Sequence, residues 1–90
     1  MLESVYMKYF FYGTECPHCH TMLPIVEKLN KEGAEIEILE TWHNAENAKK
    51  LETFDTGLCG GVPFFYNVET KKFLCGEATK EEVQKWSDGK

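Results

Sequence analysis

The chain of 90 residues reads as a single α/β domain spanning residues 1–90, ordered β-α-β-α-β-β-α, with a mixed four-stranded sheet flanked by helices. Three observations predict this. The run Val5 to Tyr12 (Val-Tyr-Met-Lys-Tyr-Phe-Phe-Tyr) is aromatic and carries Lys8 as its sole charge, as suits a strand buried on both faces. Residues 17–31 place Met22, Leu23, Ile25, Val26 and Leu29 at helical spacing. Two short β-favouring runs, Phe64-Phe65-Tyr66 and Lys72-Phe73-Leu74-Cys75, flank a polar turn and read as an antiparallel hairpin.

Each element follows from its residues. Gly13-Thr14-Glu15 breaks the first strand. Pro17 suits the first turn of the helix, where its missing N–H costs nothing. Pro24 falls mid-helix and should kink it, and Gly33 should end it. Ala34 to Leu39 alternates like a second strand. Asn44 can cap a helix to about Phe54, with Ala48 and Leu51 inward and Gly57 as its stop. Leu58-Cys59-Gly60-Gly61-Val62-Pro63 is a glycine-rich loop ending in an X-Pro bond. Thr79-Lys80-Glu81-Glu82 fits a capping box for a last helix with Val83 and Trp86 on its inner face. The first β-α-β needs a crossover and therefore a parallel pair, and the second half is antiparallel.

Composition removes several function classes. A net charge of −5 argues against nucleic acid, whose phosphates require a basic stripe. No stretch approaches the ~18 apolar residues of a membrane span. The start, Met1-Leu2-Glu3-Ser4, has no basic region before an apolar run, so no secretory signal is visible and a cytoplasmic protein is expected. A monomer is expected.

The chemistry is expected at Cys16-Pro17-His18-Cys19, where a buried strand turns into a helix. The first cysteine then meets the unpaired N–H groups and positive end of the helix, which favour thiolate over thiol. The second lies one turn on, within reach of an unstrained disulfide. One exposed thiolate can attack, and its neighbour can resolve the mixed disulfide. His18 can lower the Cys16 pKa further, whereas Glu15 should raise it. A rival reading takes Cys16, His18, Cys19, Cys59 and Cys75 as ligands of a metal-binding or redox-inactive module. Cys59 and Cys75 are not close in sequence, which resembles no zinc ribbon.

Taken together, Cys16-Pro17-His18-Cys19, Pro24, Gly61-Val62-Pro63 and Gly76 resemble the thioredoxin fold superfamily over nearly the whole chain. The four motif residues match those of bacterial periplasmic disulfide oxidases, while the size is similar to a minimal, glutaredoxin-like version. The resemblance implies thiol–disulfide exchange with Cys16 as nucleophile, Cys19 as resolving thiol, His18 tuning the pair and Pro17 shaping the turn. It implies a cis Val62–Pro63 bond facing the dithiol, with Gly61, Val62 and Pro63 forming the substrate ledge. The redox-active Cys16–Cys19 disulfide then serves without any other cofactor or metal. Partners would be disulfide-containing proteins and an electron-donating reductase or low-molecular-weight thiol, in cell redox homeostasis and electron transport. Three positions depart from the family: Glu15 replaces a tryptophan, Phe10 replaces a buried acid, and Cys75-Gly76-Glu77-Ala78-Thr79 replaces the glutathione-holding segment of glutaredoxins.

Outside the motif, Cys59 and Cys75 are expected as small buried apolar residues, with a regulatory second pair as the sharper alternative. Glu35, Glu37 and Glu40 read as a solvated strand face, His20 as a solvated side chain, and Trp42-His43 as part of a loop.

Overall fold

The computed structural model describes residues 7–89. Its elements are β1 (Lys8–Tyr12), α1 (Pro17–Lys31), β2 (Glu37–Glu40), α2 (Ala45–Phe54), β3 (Phe64–Asn67), β4 (Phe73–Cys75) and α3 (Lys80–Ser87). This is the expected order, and the sheet runs β2-β1-β3-β4. β1 pairs in parallel with β2 and antiparallel with β3, which pairs antiparallel with β4. Val5 and Tyr6, expected to open the first strand, lie outside the described residues.

Alternation along β1 divides the core into two layers. Phe10 points to one face, where Phe65 meets Met22, Val26 and Leu29 of α1 and Val83 and Trp86 of α3. Tyr9 and Phe11 point to the other, joining Leu39 and Phe64 against the half-buried Leu51 and Phe54 of α2. The first layer is the drier: α1 buries four residues and α2 none. The Phe10 and Phe65 rings stack at 4.7 Å across the strands. No described helix is long and apolar enough to cross a membrane.

Two strand boundaries differ from expectation. β2 begins at Glu37 rather than at Ala34, because Glu35 takes a left-handed φ of 57° and Asn30 clamps the next residue. Asn30 Oδ1 accepts the Ile36 amide at 2.7 Å, and its Nδ2 donates to the Ile36 carbonyl at 2.8 Å. α2 ends at Phe54, as expected, and Asp55 turns its carboxylate to the following loop. β4 starts at Phe73 instead of Lys72, with Lys71 left-handed at φ 65°. Asn67 organises that turn: its Oδ1 accepts from Glu69 N and Thr70 N at 3.0 and 3.2 Å. Its buried Nδ2 donates to the Trp86 carbonyl at 3.3 Å, tying the hairpin to α3. The helix ends behave as expected elsewhere. Pro17 and Pro24 both lie in α1, and Gly33 follows its end with a φ of 98°. At α3, Thr79 and Glu82 exchange both bonds of a capping box.

Candidate functional site

Cys16 is the N-cap of α1, with extended backbone angles, and Pro17 occupies the first helical position. The Cys16 amide donates back to the Gly13 carbonyl at 3.0 Å, closing the turn that leads out of β1. Gly13 is required there by close approach, since the Trp42 ring occupies the space a Cβ would fill. Cys16 Sγ accepts the Cys19 amide at 3.2 Å, the place an N-cap oxygen usually takes. The two cysteines form a disulfide with Cα atoms 5.2 Å apart. Both cysteines are buried, more covered than the expected exposed nucleophile. The remaining access is unequal: Cys16 keeps 4% of its surface and Cys19 none.

Two histidine–carboxylate pairs flank this bridge. On one side, His43 Nε2 lies 2.8 Å from both Glu15 oxygens. The Glu15 hydrogen bond and charge raise the His43 pKa above its ordinary value, against a lowering by desolvation. On the other side, His18 Nδ1 sits 2.6 Å from Glu77 Oε2. His18 is therefore engaged with the segment after β4, and Glu15 with the loop after β2. His20 is exposed, and its Nε2 meets the Thr14 carbonyl.

Glu40 is more than part of a solvated strand face. Its carboxylate accepts from the Thr14 amide and hydroxyl at 3.0 Å each, Trp42 N at 3.1 Å and His43 N at 2.8 Å. Burial pushes its pKa up, but these donors outweigh that and leave it lowered. One carboxylate thus ties the turn before Cys16 to the loop carrying Trp42 and His43. Trp42 itself is half exposed, at 53%.

The loop before β3 carries the remaining residues expected at the site. The Val62–Pro63 bond is cis, as the family resemblance implied. The Pro63 carbonyl accepts the Gly76 amide at 2.9 Å, and Phe64 registers with Cys75. Gly61 is exposed and Val62 half-buried. Upstream, the Asp55 carboxylate accepts from Cys59 N at 2.8 Å and Gly60 N at 2.7 Å. Burial raises its pKa, and the amides of Cys59, Gly60, Leu58 and Gly61 together pull it below its ordinary value.

Cys59 and Cys75 correct the expectation of two buried apolar residues. They form a second disulfide, with Cα atoms 5.7 Å apart across a sequence separation of 16. Cys75 is exposed and Cys59 half-buried, because β4 is an edge strand and the loop folds over its end. The five-residue metal cluster does not assemble. Its cysteines are divided between two bridges, and among the described residues no three His, Cys, Asp or Glu side chains gather in a metal-holding group.

Sequence reading missed Glu40, Asp55 and Asn67, whose work is to receive backbone amides. Asp55 had a usable signal, an acid at a helix end just before a glycine-rich loop. Glu40 had none, since half its donors lie on another segment.

The sheet order, the parallel β1–β2 pair, the cysteine bridge at the start of α1 and the cis proline before β3 define a minimal thioredoxin-like fold. Among solved structures, the glutaredoxin grx-1 from Archaeoglobus fulgidus is similar over 89% of this chain and 84% of its own, with a TM-score of 0.59 and 20% sequence identity. No family model and no curated protein matches the sequence.

Proposed function

We propose that the protein is a thiol–disulfide oxidoreductase working through Cys16 and Cys19. The observation that carries this is the bridge at the N-cap of α1, with Cys16 Sγ on the Cys19 amide. The same amide and helix terminus stabilise a Cys16 thiolate in the reduced form. That thiolate attacks one sulfur of a substrate disulfide, and the other substrate sulfur leaves as a thiolate. Cys19, deprotonated in turn, attacks Cys16 Sγ in the mixed disulfide and expels the second substrate thiolate. The balance is two electrons from the dithiol to the substrate, with both cysteine protons ending on the substrate thiols. A reductase or low-molecular-weight thiol returns the electrons.

Unequal access favours Cys16 as nucleophile and Cys19 as resolving thiol. In this reading Pro17 fixes the helix start, His18 tunes the pair from its perch on Glu77, and Gly61-Val62-Pro63 offers backbone to a protein disulfide. A cytoplasmic setting favours the reducing direction.

Insulin-disulfide reduction, with dithiothreitol as the electron source, tests the proposal. Wild-type protein accelerates it, Cys16→Ser returns the rate to background, and Cys19→Ser accumulates a mixed disulfide visible by intact mass. A wild-type rate equal to background overturns the reading.

A further inference from the structure

The second bridge joins the loop before β3 to the edge strand β4. Several contacts fasten the segment from Leu58 to Pro63, with Cys59 and Val62 also packed against the Tyr9–Phe11–Leu39–Phe64 cluster. Asp55 holds its start through Cys59 N and Gly60 N. The Pro63 carbonyl holds its end through Gly76 N. At the first of these ends, the Cys59–Cys75 disulfide also pins the loop to edge strand β4. Two residues beyond Cys75, Glu77 reaches His18 of the dithiol motif at 2.6 Å. Of these fastenings, only the disulfide responds to thiols, and its Cys75 side is exposed.

We propose that Cys59–Cys75 is a second exchange site, opened by a low-molecular-weight thiol, whose opening loosens the Val62–Pro63 ledge. The consequence for substrates rests on the oxidoreductase reading above. In the step, a small-molecule thiolate attacks Cys75 Sγ and Cys59 departs as a thiolate. A second small thiolate then attacks the small molecule's own sulfur in the mixed disulfide, freeing Cys75. Two small thiols are oxidised to one disulfide, the protein bridge gains two electrons, and the two protons pass to Cys59 and Cys75. Attack at Cys75 is favoured by access, and its leaving partner Cys59 lies beside the Asp55-bound amides. Closed, the bridge presents the ledge to a protein disulfide. Open, it leaves the loop to the Asp55 hydrogen bonds, the packing of Val62 and the Pro63–Gly76 bond.

The test uses the full chain in graded reduced and oxidised dithiothreitol, with alkylation and peptide mapping of each pair. The expected result is a Cys59–Cys75 transition resolved from that of Cys16–Cys19, with faster hydrogen exchange at Gly60, Gly61 and Val62 once it has opened. The Cys59→Ser/Cys75→Ser double variant should raise KM for insulin at least threefold, with kcat and the alkylation rate of Cys16 unchanged. A bridge that opens only when the protein unfolds overturns the proposal. So does a bridge that opens with neither loop exchange nor KM altered. If the double variant does not fold, the wild-type exchange measurement decides alone. Absence of insulin reduction would remove the oxidoreductase reading, while mapping and loop exchange would still report on the bridge.

Discussion

Cys16–Cys19 closes over a sequence separation of 3 at the start of a helix, whereas Cys59–Cys75 closes over one of 16 and joins a loop to an edge strand. The first pair stands on α1, whose inner face places Cys19, Met22, Val26 and Leu29 in the core. The second stands on backbone amides gathered by Asp55 and on the exposed β4. Local geometry therefore sets one pair, and a tertiary fastening sets the other. Perturbations should separate along that line: core changes move the helix pair, and polar changes move the loop pair.

The largest effect is expected beneath the helix pair. Met22 is fully buried one turn after Cys19, and its Sδ also receives the Ala78 amide at 3.4 Å. Met22→Ala should cost about 2–5 kcal/mol in chemical denaturation and slow reaction at Cys16. If that loss falls on the Cys59–Cys75 loop alone, the contrast between the pairs is broken.

A smaller effect is expected at Asp55. Asp55→Ala should cost about 1 kcal/mol and speed hydrogen exchange at Cys59 and Gly60, with α1 amides unchanged. The wild-type contribution is pH-dependent. Because the folded pKa lies below the ordinary 3.8, this stability is complete above 3.8 and is lost as pH falls through the lower folded value. Loop exchange measured from pH 6 downward should show that loss in wild type and none in Asp55→Ala.

The smallest effect is expected at His43, exposed beside the helix pair. Its imidazolium is held by Glu15, so its titration followed by NMR should have a midpoint above 6.5. That contribution is complete below 6.5 and lost as pH rises through the folded midpoint. Glu15→Gln should bring the midpoint back toward 6.5, while global stability changes little for so exposed a pair. An unmoved midpoint would remove Glu15 as the neighbour that sets the charge beside Cys16.

The residues reveal much of the fold because period and punctuation are local. The spacing from Met22 to Leu29 gave α1 its buried face, Thr79 and Glu82 announced α3, and Asn44 announced α2. Where boundaries slipped, a side chain had taken up the backbone of a neighbouring segment: Asn30 that of Ile36, Asn67 those of Glu69 and Thr70. Such bonds depend on what the fold brings within 3 Å or so, and composition does not encode that.

The same distinction runs through the site. A strand, a breaker, two cysteines one turn apart and a first-turn proline were enough to locate the helix-borne bridge, since the pair's geometry is that of a single helical turn. The partnership of Cys59 with Cys75 was decided by tertiary structure alone. It exists because β3 pairs with β4 in the register that sets Phe64 against Cys75, and because Asp55 folds the loop back over that edge. Strand register and loop path are properties of the assembled sheet, so a sequence separation of 16 between two cysteines carries no statement of the distance between them.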